Sequence, residues 1–486
     1  MQASGFSGAR AFEHYLLCLQ LVLRKQLRWL IEVQQLPEEL EVLVRDLWAL
    51  RLQKLQHRTG YDSETDTETQ TRYFSSQSED ETSASQTTRR SANSGTQRLQ
   101  AERTPNLQDL LGLCYAGCLL LREPLTVAEF YRWCNNGGLL YYRAAHEVPT
   151  SMRERLPPLY QEMLEPKPWA RPEIFHQSCV KVLQSLHAEF GMALPGINHP
   201  SIVYDWVKRL ALPIETLAGT LRLARVLDID FAYEPFKRGA SKDAMLRYPE
   251  VRMMALLVVA TKLLYPLDDI DRHPTEHSDL TSLFMDWQAW SKLQRQKDQN
   301  SSTLTYADAM HFCQEDVLAA SGDALDNYMD WVEHNVASES IRERGRAGRE
   351  AQFRRALFQM FPLAQDSQVR RDERLAGVED TSRASQHTET THVNDSGGVL
   401  RQAQTDLKVK RVIAVADGEG EKAVARVGSF YRRVKTSTDL AGAARALHER
   451  AAELAGVSLE GLLRAISLLE QKMISWETGA RKAAKD

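Results

Sequence analysis

The feature that most limits the fold is LQDLLGLCYAGCLLLREPLTVAEFYRWC, residues 107–134. Twelve residues between Asp109 and Arg122 carry no charge. A membrane-spanning helix needs about 20 apolar residues, and runs of about 10–14 are more often buried helices. Cys114 and Cys118 share a helical face, but a structural zinc site takes four ligands, usually arriving as two close pairs. The other four of the six cysteines stand singly, and no C-x-x-C occurs. Free cysteine packs as a small buried hydrophobe, so both thiols are expected in a core. Pro124 stops this helix, and Thr126 to Glu129 has the capping-box spacing that starts another, expected to end at Asn135 to Gly138. A helix apolar all round must be enclosed by other helices.

The neighbouring sequence supplies them. Leu16, Leu19, Leu23, Leu27 and Leu30 recur at helical spacing, and Val44, Leu47, Leu50 and Leu55 continue the pattern after Pro37. With a further helix expected over Thr150 to Leu164, this makes five around one apolar member, the third. A second block repeats the count: Pro172 to Phe190 ending at Gly191, Pro200 to Leu210, Pro213 to Leu227, the apolar PEVRMMALLVVATKLLYP, and Leu280 to Leu293. Its fourth helix is the apolar one, from Met253 to Ala260. The expected fold class is therefore all-α, two five-helix folds in tandem, with boundaries near 1–168 and 169–300. No short fixed repeat is present, which argues against a helical-repeat array.

Two stretches fall outside this pattern. Residues 59–104 hold almost no large aliphatic side chains and are expected to be a disordered acidic insertion, since burial there cannot offset ordering entropy. Within it Ser63, Thr65, Ser76 and Ser78 each precede an acidic residue by three positions, a pattern suited to acidophilic kinases. Residues 301–486 form an irregular C-terminal region. It is expected to be helical over Leu304 to Met360, disordered over about 366–405, and β-prone at VKRVIAVA. Final helices are expected near Ala441 to Ala455 and Ser458 to Trp476.

Chemistry is mostly excluded. The sequence lacks a phosphate-binding glycine loop with its lysine, a G-x-S-x-G elbow and an H-E-x-x-H pair. The cluster Asp268, Asp269, Asp271, His273 and His277 lacks the glycine and distal glutamate of a calcium loop and the cysteine pair of a zinc site; its carboxylates are expected to cap turns. No catalytic residue is assigned. With 61 Lys plus Arg against 65 Asp plus Glu, any nucleic-acid surface must be local. The candidates are Arg24, Lys25 and Arg28 on one side of the first helix, Lys208 and Arg209 at the end of another, and Lys237, Arg238 and Lys242 in a loop, with Arg342 to Arg355 as a further basic run. Six unpaired cysteines and the absence of a signal-peptide pattern suggest a soluble intracellular protein of a reducing compartment.

AFEHYLLCLQLVLRKQ, ELEVLVRDLWALRL, LLGLCYAGCLLLREPLTVAEFYRW, FGMALPGINHPSIVYDWVKRLALP and VRMMALLVVATKLLYPLDDI together resemble the transcription factor IIB-like subunit of the RNA polymerase I core factor, in its fungal-type form. The likeness runs from about residue 10 to 300, with weaker echoes in FYRRVKTSTDLAGAARAL. It implies two cyclin-like folds and a nucleolar, non-enzymatic initiation factor that binds the core promoter DNA of ribosomal RNA genes, other core-factor subunits, TATA-binding protein and RNA polymerase I. Family members begin with a zinc ribbon of cysteine pairs. No such pairs occur here, so the family's zinc, and any other cofactor, is assigned to no residue. An internal start of the reading frame is the expectation, a version without the ribbon the other reading. A kinase-regulating cyclin and a general helical scaffold are the alternatives in function.

Overall fold

The computed structural model describes residues 6–62, 104–167, 171–233, 244–268, 283–300, 322–337, 400–410 and 428–483. It also describes positions 169, 270, 272–274, 304, 306–313, 315–316, 320, 353, 398 and 425. The expected insertion, with Ser63, Thr65, Ser76 and Ser78, lies outside these residues apart from its edges. So does the basic run apart from Phe353.

Helix α1 (Gly8–Glu32) buries Tyr15, Cys18, Leu19, Val22, Leu23, Leu27 and Leu30 along one stripe. Helix α2 (Glu39–Asp62) buries Leu40, Val44, Leu47 and Trp48. Both pack on α3 (Leu107–Leu120), in which every residue from Leu110 to Leu119 is buried. Its start is fixed by a reciprocal box: the Asn106 side chain accepts from the Asp109 N–H at 2.9 Å, and Asp109 accepts from the Asn106 N–H at 3.1 Å. Helix α4 (Val127–Asn135) begins with the box expected from Thr126 and Glu129, and Gly137 follows its end at φ 76°.

The close approach of α2 to α3 depends on Gly117. A Cβ there would stand 2.6 Å from Val44 Cγ2 and 2.8 Å from Leu40 Cδ1. Overpacking of this kind costs about 1–3 kcal/mol. Gly117→Ala is accordingly expected to lower the unfolding free energy by that amount, shifting the urea midpoint down at unchanged slope, without changing helical content as read by circular dichroism.

The expected helix over Thr150 to Leu164 is instead two short turns, Thr150–Arg153 and Pro158–Met163. Pro157 and Pro158 interrupt it, because a proline lacks the N–H that a continuous ladder needs and restricts the residue before it. The fourth long neighbour of α3 comes from later in the chain. Helix α5 (Pro172–Phe190) lies along α3 and also touches α4.

Helices α6 (His199–Arg209) and α7 (Glu215–Val226) pack against α8 (Pro249–Leu264). Every residue of α8 from Pro249 to Lys262 is buried. Helix α9 (Trp287–Asn300) starts seven residues later than the sequence suggests. Leu283–Phe284 is a two-residue strand, paired antiparallel with Lys408–Val409 as Leu283 opposite Val409. Asp286 caps the helix instead, accepting from the N–H groups of Gln288 and Ala289, both at 3.0 Å. Beyond it come a turn at Tyr306–His311 and α10 (Gly322–Asn335). Part of the stretch expected to be disordered, residues 400–405, is helical: Ala403 is buried in the main core, and Gln404 bonds to Glu215 at 3.2 Å.

The last two helices, α11 (Gly442–Ala455) and α12 (Leu459–Ala483), form a hairpin that closes over α8. Leu447, Leu462, Ile466 and Leu469 join the same continuous core as the first helices. The hairpin turn at Gly456 (φ 62°) approaches α4 so closely that a Cβ would lie 2.9 Å from that of Ala128. Among the described residues no helix is long and apolar enough to cross a membrane.

Candidate nucleic-acid interface

On α1, Arg24, Lys25 and Arg28 are exposed along one side, as the helical spacing requires. Lys25 is tied down, its ammonium meeting the Glu147 carboxylate at 2.6 Å and the Glu147 carbonyl at 3.1 Å. Arg28 stands 3.6 Å from Glu32, both well exposed, a pairing that water and salt weaken. At the end of α6 the two cations have different tasks. Lys208 lies 3.5 Å from Asp205 and over the exposed Tyr204 ring at 5.0 Å. Arg209 reaches Asp205 at 2.6 Å and Glu129 of α4 at 2.7 Å, so its guanidinium links the two helical blocks. Lys237, Arg238 and Lys242 lie outside the described residues. Among the described residues no contact unites the α1 group with the α6 group.

The junction between the two helical blocks is built by groups that sequence reading did not single out. Glu250, fully buried in the first turn of α8, accepts from the Val127 N–H at 3.0 and 3.1 Å and from the Tyr115 hydroxyl at 2.7 Å. Tyr115 also meets the Tyr233 hydroxyl at 2.7 Å, at the edge of the loop. One carboxylate thus caps α4 while belonging to α8, which holds the first block to the second. In sequence Glu250 follows a helix-starting proline and reads as an ordinary acidic first-turn residue. Only its company of apolar neighbours hints at more.

Burial pushes the Glu250 carboxyl up to about 8 from the usual 4.5, against the Val127 and Tyr115 hydrogen bonds and with help from Glu129. A raised value means that the folded state holds this proton more tightly. Its stabilising contribution is complete below about pH 4.5 and is lost as pH rises through about 8. Glu250→Gln keeps an acceptor for Val127. Its melting temperature relative to wild type is expected to rise with pH across that window. A difference flat from pH 5 to 9 contradicts this.

Cys114 and Cys118 are buried as expected, with the Cys114 thiol pushed up to about 12 by burial. Among the described residues no three metal-ligating side chains gather. Asp268 does more than cap a turn in water: it clamps the buried Arg272 guanidinium at 2.5 and 2.9 Å. His273 is also described, whereas Asp269, Asp271 and His277 lie outside the described residues.

Comparison with known proteins follows the same two-block order. Residues 19–150 match the family model for the N-terminal cyclin domain of Rrn7/TAF1B, and residues 169–336 match its C-terminal cyclin domain. The chain is 21% identical over 421 residues to the RNA polymerase I-specific transcription initiation factor rrn7 of Schizosaccharomyces pombe, covering 82% of this chain and 75% of that protein. Among solved structures, S. cerevisiae core factor aligns with a TM-score of 0.46 at 14% identity, over 82% of this chain and 92% of the matched one. The paired cyclin domains, in family order and spanning well over half of the sequence, place this chain in the Rrn7/TAF1B family.

Proposed function

We propose that this chain is an RNA polymerase I-specific transcription initiation factor, a core-factor subunit that binds the ribosomal RNA gene promoter and helps recruit the polymerase. The observation that carries the reading is the tandem match of both Rrn7/TAF1B cyclin domains, supported by the likeness to the fission-yeast initiation factor. The role is one of binding, without catalysis. Its partners are promoter DNA, the other core-factor subunits, TATA-binding protein and RNA polymerase I, and its place is the nucleolus. Arg24 and Arg28 of α1, Lys25 once exchanged from Glu147, and Lys208 serve as phosphate contacts that position the factor, with Lys237, Arg238 and Lys242 as a third group. Arg209 is held by two carboxylates and serves the junction first. Phosphorylation of Ser63, Thr65, Ser76 or Ser78 would add about −1.5 to −2 charge at each site and would repel DNA or recruit a basic partner.

Affinity purification of the tagged full chain tests the reading. Core-factor subunits and RNA polymerase I are the expected companions, together with promoter-dependent initiation that is lost on depletion and restored by the purified protein. Recovery of a protein kinase in their place overturns it.

A further inference from the structure

Between the helical body and the closing hairpin runs the segment GSFYRRVK, residues 428–435. Phe430 is 71% exposed. Its φ is 56°, a region that bulky side chains rarely adopt. Both features cost stability, and the surroundings are arranged to maintain them. Arg272, itself buried and clamped by Asp268, donates to the Ser429 carbonyl at 2.8 Å and to the Phe430 carbonyl at 3.3 Å. One residue on, the Tyr431 hydroxyl donates to Glu470 of α12 at 2.6 Å, and the Lys262 ammonium lies 4.4 Å from its ring centre. Val434 is buried against Leu440 and Leu463. The strap is fixed at three points while its aromatic ring is held out to solvent. Strained residues maintained in this way concentrate at binding sites.

The strap is also basic. Arg432, Arg433 and Lys435 are all exposed, and none is ion-paired among the described residues. Of the nearby carboxylates, Asp268 is clamped by Arg272 and also feels Arg432, Glu470 is held by Lys262 at 2.7 Å, and Asp439 accepts from the Thr436 hydroxyl at 2.7 Å. Arg433 and Lys435 flank the inward Val434, with Cα atoms at most about 7 Å apart, close to the step between successive phosphates of one strand. Beneath lies a cavity of about 270 Å³, lined by Lys262, Arg272, Arg432 and His448 among others.

We propose that the 428–435 strap binds single-stranded nucleic acid, with Phe430 stacking on an unpaired base and Arg433 and Lys435 meeting its phosphates. A ring face held out beside unpaired cations suits a strand whose bases are free to stack. A duplex keeps its base faces covered, and an acidic peptide makes no use of the ring. The inference goes beyond the initiation-factor reading and stands without it, because it needs neither polymerase nor partner subunits.

Titration of the purified full chain with oligo-dT at several salt concentrations tests it. Phe430→Ala is expected to weaken binding about tenfold, the loss of one stacked base, with the salt slope unchanged. R433Q/K435Q is expected to make the slope of log K against log salt shallower by about 1.4, about 0.7 for each lost phosphate contact to a single strand. All three side chains are exposed, so melting temperatures should match wild type, and Phe430→Trp should restore affinity. Unchanged oligo-dT binding by Phe430→Ala overturns the proposal. Equal losses on a duplex of the same length would show a general phosphate patch, and equal competition by poly-glutamate would show an acidic-peptide site; either result also overturns it.

Discussion

Removal of residues 436–486 is expected to abolish the fold of the second block rather than trim an appendage. The hairpin of α11 and α12 covers α8 and contributes Leu447, Leu462, Ile466 and Leu469 to the main core. Full burial of such side chains is worth about 1.5–3 kcal/mol each, so the four together contribute about 6–12 kcal/mol. Whole domains are stable by only about 5–15 kcal/mol. The hairpin is also tethered by polar contacts. His176 of α5 bonds to the Ala455 carbonyl at 2.9 Å, and Glu173 accepts from the Ser458 N–H at 2.7 Å. Limited proteolysis of the shortened chain should cut within α7 and α8, and its cooperative unfolding transition should disappear. Survival of a melting transition within a few degrees of the full chain would show that α8 is covered without the hairpin.

The second large effect is expected at Lys262. Its ammonium is buried on α8 and meets Glu470 of α12 at 2.7 Å, with both side chains almost wholly buried. Burial lowers the lysine's proton affinity, and the glutamate opposes that shift. Breaking one side of a buried pair leaves the other charge desolvated and uncompensated, at a cost of about 3–5 kcal/mol. Lys262→Met should therefore destabilise the chain by that amount in urea unfolding. The double variant Lys262→Met with Glu470→Leu should recover most of the loss, because no lone charge remains. A double variant as unstable as the single one would show that packing, and not charge, is what the pair supplies.

These two expectations rest on contacts between residues 208 to 285 positions apart, which marks the limit of what could be read along the chain. The sequence by itself determined the helical periodicities, the enclosed apolar helix over Leu110 to Leu121, the capping box at Thr126, the stop at Gly191 and the resemblance to a two-fold initiation factor. Each is a local property: a charge-free run, a spacing of three or four residues, a glycine free to take positive φ. The same reading missed where local preference is divided by proline, as at Pro157 and Pro158, and where an aspartate six residues beyond the expected start capped a later one, as at Asp286. Tertiary structure alone decided what encloses each apolar helix. It placed α5 on α3 and the C-terminal hairpin on α8, turned Arg209 towards Glu129, set Glu250 beneath α4, and held Phe430 outward on a clamped Arg272. A single charged residue in a sequence looks the same whether it faces water, a phosphate or a buried partner. Its role depends on what is desolvated beside it, and only the folded chain fixes that.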